Sequence, residues 1–76
     1  MKQADKNRFL ILLGKKVLEL RNVKKISQEE LAYSTDISIS SISKLERGQL
    51  NLSALNIYKL SIALKVEPKE LLNFSI

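Results

Sequence analysis

Cysteine, histidine and tryptophan are all missing from this chain of 76 residues. Without cysteine there is no disulfide framework and no thiolate metal site. Without histidine, the commonest general base and the commonest metal ligand are gone together. The only glycines, Gly14 and Gly48, are far apart, so no glycine-rich loop of the GxxxxGK type can cradle a phosphate. The longest apolar stretch, Phe9 to Leu13, is five residues. A bilayer span needs roughly 20, and the stretch is not a signal-peptide core either. A chain this short also lacks the concave volume that most substrate pockets occupy. These absences predict a cytoplasmic protein that is not an enzyme and has no cofactor, no metal and no membrane partner.

What is present points to a small folded unit with an anionic partner. The composition is 45% hydrophobic and 28% charged, too apolar for a disordered tail and sufficient for one domain spanning residues 1–76. The formal net charge is +5, and it is unevenly placed. Eight basic residues (Lys2, Lys6, Arg8, Lys15, Lys16, Arg21, Lys24, Lys25) and two acidic ones (Asp5, Glu19) fall in residues 1–25, while the remainder is nearly balanced. Nucleic acid is the first partner such a balance favours, and an acidic membrane surface the second.

Periodicity gives helices throughout. Leu10, Leu13, Val17 and Leu20 form an i, i+3, i+7, i+10 stripe. Asp5 is the expected N-cap of that first helix, and Lys24 and Lys25 suit its C-terminal end. Gly14 lies inside it at a cost of about 1 kcal/mol relative to alanine, which predicts close packing of another backbone there. Ser27-Gln28-Glu29-Glu30 reads as a capping box opening a second helix over about 28–34, closed by the turn-forming Ser34-Thr35-Asp36. Ser38 caps a third helix over about 39–47, ending at Arg47-Gly48 with glycine at C′. Ser53 caps a fourth that runs to about Lys65, and Glu67-Pro68 opens a fifth with proline at its first position. No segment alternates with period two. The expected fold is an all-α bundle of five helices containing a helix-turn-helix.

The sequence resembles the Cro/C1-type (XRE-like) helix-turn-helix regulators, with their lambda-repressor-like fold, over residues 13–72. Four blocks carry the resemblance in order: LGKKVLELR (Leu13 to Arg21), SQEELA (Ser27 to Ala32), ISISSISKLERG (Ile37 to Gly48) and NIYKLSIALKV (Asn56 to Val66). The short chain and the segment NLSALNIYKL look most like restriction–modification controller proteins. The resemblance implies double-stranded DNA as partner, with the third helix as recognition helix.

At about 100° per residue, Ile42 and Leu45 define the core side of that helix, and Ser40, Ser43, Lys44 and Arg47 gather on the other. Short hydroxyls and two cations form a surface able to meet base edges and phosphates in a major groove. Ile39 at the helix start is placed for a thymine methyl, and the capping Ser38 for a base or phosphate. Gln28 stands where the family carries a phosphate-binding glutamine, at a helix N-terminus suited to anions. Ser41 and Asn51 are further phosphate candidates. Arg21 and Glu46 match the family's partly buried ion pair, whose role is structural.

The fourth helix is apolar on two sides. Ile57, Leu60 and Leu64 should face the core, while Leu55, Tyr58 and Ile62 cluster opposite, joined by Phe74 and Ile76 near the C-terminus. That second face is expected either to bury itself in a homodimer or to be covered by helix 5 through Leu71 and Leu72. The leading expectation is a dimeric regulator of a partly palindromic operator. The alternative is an antitoxin or another interaction module that uses the same face for a different protein.

Overall fold

The computed structural model describes residues 1–76 as five helices and no strand. Helix α1 spans Gln3–Lys24, α2 Gln28–Thr35, α3 Ile39–Glu46, α4 Ala54–Leu64 and α5 Pro68–Leu71. At about 1.5 Å per residue α1 is roughly 33 Å long, and it sets the 34 Å long axis of a molecule only 23 by 21 Å in its other extents. Helices α3, α4 and α5 pack along its side, and α2 packs on α3 and α4. All five helices, with Ile37 from the turn, feed one core of nine buried residues: Leu13, Val17, Leu31, Ile37, Ile42, Leu45, Leu60, Leu64 and Leu71.

The ends of the helices follow local chemistry. In α2 the Ser27 hydroxyl accepts from the Glu30 N–H (3.0 Å), and the Glu30 carboxylate accepts from the Ser27 N–H (3.1 Å). Ser38 and Ser53 cap α3 and α4 in the same way, accepting from the amides of Ser41 and Asn56. Pro68 takes the first position of α5. After α3, Gly48 turns left-handed at φ 74°, and the Gln49 N–H returns to the Lys44 carbonyl at 2.9 Å, the six-to-one bond of a Schellman ending.

Two boundaries differ from those expected. Helix α1 begins at Gln3, two residues before Asp5, behind Lys2, which makes no side-chain cap bond. Asp5 instead lies in the first turn, where its carboxylate complements the positive end of the helix dipole. Helix α2 runs through Ser34 to Thr35. Thr35 is buried, donating its hydroxyl to the Leu31 carbonyl (2.7 Å) and accepting from the Ile37 N–H (3.2 Å). Its side chain therefore stays inside the helix while fixing the first residues beyond it. Asp36 then adopts the left-handed conformation at φ 60°, and the helix-turn-helix is complete with Ile37 plugged into the core.

Gly14 is where α3 meets α1. A Cβ there would collide with the Leu45 carbonyl oxygen and stand 3.1 Å from the Glu46 carbonyl carbon. Only glycine lets the end of α3 lie against α1 this closely.

Candidate nucleic-acid interface

Three helices converge on one carboxylate. Arg21 from α1 donates Nε to Glu46 Oε2 (2.7 Å) and Nη2 to Oε1 (3.0 Å), a bidentate pair. Its Nη1 donates to the Ile26 carbonyl at 3.0 Å, tying down the α1–α2 connection. Gln28, the first residue of α2, donates Nε2 to the same Glu46 Oε1 at 2.8 Å. Both charged side chains are largely shielded from solvent (14% and 6% exposed). The hydrogen bond to Glu46 raises the Arg21 pKa above its ordinary value, outweighing the lowering effect of burial. The pair sets the angle between α1 and α3; Gln28 brings α2 into the same joint.

Two features of α2 and α3 adjoin that joint. The first is the N-terminus of α2, where the capping box satisfies the Glu30 amide but the Gln28 and Glu29 N–H groups find no partner within the chain. Free N–H groups at a positive helix end are an anion site. Gln28 is half-buried, with its Oε1 uncommitted.

The second is the outer face of α3. Ile42 and Leu45 are fully buried beneath it. Ser40, Lys44 and Arg47 are exposed and Ser43 is half-buried. Lys44 makes no ion pair. Arg47 lies along the helix, its Nη1 donating to Ser43 Oγ (2.6 Å) and its Nε to Gln49 Oε1 (3.3 Å). Gln49 had no visible role in the sequence, because its bond to Arg47 depends on the left-handed Gly48 that folds the chain back. At the start of α3, Ile39 is 45% exposed, Ser38 is committed to its cap, and its hydroxyl also donates to Ser41 Oγ at 2.9 Å. Asn51 is exposed in the α3–α4 loop, which is pinned by Leu50 and Leu52 packing onto the core.

On α4, Leu60 and Leu64 are buried and Ile57 packs against them. Leu55, Tyr58 and Ile62 are 61%, 54% and 58% exposed, so α5 does not cover them. Leu71 of α5 is in the core and Leu72 is outside. Phe74 is half-buried, packed on Phe9 of α1 with ring centroids 5.5 Å apart and planes at 59°, while Ile76 remains exposed. No helix is long and apolar enough to cross a membrane.

A buried brace that holds two helices across a tight turn, with a polar and cationic face on the second, defines a helix-turn-helix DNA-binding transcriptional regulator. Residues 14–74 match the family described as "Helix-turn-helix domain", and the chain belongs to it. Control protein C.BamHI of Bacillus amyloliquefaciens is 46% identical over 70 residues, covering 91% of this chain and 86% of that protein. Among solved structures, the restriction-modification controller protein C.AhdI from Aeromonas hydrophila superposes with a TM-score of 0.79 at 45% identity, over 82% of this chain and 94% of that one. The clp gene regulator ClgR from C. glutamicum superposes at TM-score 0.80 with 26% identity, over 84% and 83% of the respective chains. The relatives are restriction–modification controllers and regulators of the same fold, and double-stranded DNA is the partner that the family implies.

Proposed function

We propose that this chain is one sequence-specific DNA-binding domain that acts as a restriction–modification controller, regulating transcription in the cytoplasm by occupying a partly palindromic operator as a homodimer. It carries out no catalysis in this reading. The observation that supports it most is the outward face of α3, where Ser40, Ser43, Lys44 and Arg47 stand beside the open N-terminus of α2. In a two-fold dimer, two such faces enter successive major grooves about 34 Å apart. Lys44 and Arg47 supply the strong donors to guanine edges or phosphates, Ser38, Ser40 and Ser43 shorter-range bonds, and Ile39 a thymine-methyl contact. Gln28, Ser41 and Asn51 hold the backbone on either side. The dimer rests on Leu55, Tyr58, Ile62 and Ile76, with Phe74 behind them, since an apolar set this open on a small domain is a contact surface.

The test is a mobility shift with DNA from the gene's own neighbourhood, comparing the wild type with Ser40→Ala/Lys44→Ala/Arg47→Ala. Alanine is a good helix former at these sites, so the variant keeps its fold. A discrete complex with one fragment, lost in the variant, is the expected result. A folded wild type that selects no fragment overturns the operator reading and leaves the α4 face as a site for another protein, as in an antitoxin.

A further inference from the structure

The first three turns of α1 lie before the residues that match the family, which begin at Gly14. They are not a loose leader. Phe9 stacks on Phe74, and Ile11 lies against Gly48, so close that a Cβ there would stand 2.7 Å from Ile11 Cγ1. A cavity of about 560 Å³ is walled by Met1, Lys6 and Leu10 on one side and Asn51 and Ile76 on the other. The front half of α1 is thus fixed beside the loop that leaves the recognition helix.

The cations on this half make no ion pair within the chain. Of the thirteen cations, only Lys16 and Arg21 sit in ion pairs. Arg8 and Lys15 are both exposed. Arg8 is three residues before Ile11 and Lys15 four after it, so the three share one strip of the helix surface. Because Ile11 touches Gly48, the residue after Arg47, this strip adjoins the end of α3 that carries Lys44 and Arg47. A polyanion seated on α3 is the partner whose charge complements both.

Resting on the operator reading above, we propose that Arg8 and Lys15 grip DNA phosphates that flank the base pairs read by α3, a sequence-independent contact that lengthens each half-site.

The test compares the full chain with Arg8→Ala/Lys15→Ala and with Lys65→Ala/Lys69→Ala, a control that removes the same charge from exposed sites at the end of α4 and on α5. Circular dichroism melting confirms that each variant is folded. Affinity is measured against salt on the selected operator with about ten flanking base pairs on each side, and again on DNA trimmed to the operator core. Each lost phosphate contact lowers the salt slope by about 0.9. The expected result is a slope lower by nearly 2 per protomer, with at least tenfold weaker binding, for the α1 variant alone; the deficit disappears on trimmed DNA. A slope equal to wild type, or an equal loss in the control, overturns the proposal while the operator reading stands. Failure of the wild type to select any operator is failure of that reading instead. A deficit that persists on trimmed DNA also overturns the flanking contact.

Discussion

Gln28 and Glu46, eighteen positions apart, are joined by a 2.8 Å bond from the amide of one to the carboxylate of the other. The same carboxylate accepts two bonds from Arg21, so a single side chain at the end of α3 fixes α1 and α2 at once. The anchor proposed to meet phosphate is thereby mechanically continuous with the brace behind α3.

Glu46→Ala leaves Arg21 and Gln28 without their acceptor in a shielded site, and the expected cost is about 3 kcal/mol. For a domain of this size that lowers Tm by more than about 10 °C. Arg21→Met with Glu46→Leu removes both charges together, leaving only the neutral Gln28 amide and Ile26 carbonyl without these partners, and should recover part of the loss. Thermal melts of both variants check this, and a double variant no better than the single one contradicts the account. Since the hydrogen bond to Glu46 raises the Arg21 pKa, the charged guanidinium favours folding through the neutral range, and that contribution is lost as pH rises into strong alkali.

Gly14→Ala separates two effects of opposite sign. Helix propensity alone favours alanine by about 1 kcal/mol, but the new Cβ meets the Leu45 carbonyl. Backbone has little room to give, so the collision wins, and urea denaturation should show a net loss of about 2 kcal/mol. A gain in stability means that α1 and α3 can separate freely.

Thr35→Val keeps the shape of a buried side chain and deletes its hydroxyl. The Ile37 amide loses its acceptor inside the turn, at a cost of about 1–3 kcal/mol. Hydrogen exchange at the Ile37 amide should quicken more than exchange in α4. Uniform quickening assigns the effect to global stability, not to the turn.

Tyr58→Glu with Ile62→Glu tests the open face of α4. Both side chains are more than half exposed in the single chain, so the fold should survive. Sedimentation should move from dimer to monomer mass at micromolar concentration, with operator affinity at least tenfold lower. A wild type that already sediments as a monomer there removes the homodimer.

Much of this was legible in the sequence because it is local chemistry. The Ser27 capping box, the Ser38 and Ser53 caps, Gly48 after α3 and Pro68 opening α5 each need only a few neighbouring residues, and the structure has them all. Gly14 was readable as a close approach because a glycine inside a helix needs a reason. What escaped notice depends on distance in the chain. The Gln28–Glu46 bond and the Phe9–Phe74 contact have no signature within a window of residues. Thr35 reads as turn chemistry, and only its burial shows that its hydroxyl works from within the helix. Asp5 reads as a cap because it is the nearest good one, whereas the helix starts wherever earlier residues can be carried along, here with a Gln3 to Asn7 side-chain bond of 3.1 Å.

The Phe9–Phe74 contact has one more consequence. Met1 and Ile76 line the same cavity, so the gap between residues 1 and 76 is no wider than that cavity. A short peptide bridge would close it without moving a helix, reducing the conformational freedom of the unfolded chain. The ring could then be reopened elsewhere, giving a circular permutant whose ends lie away from the first helix.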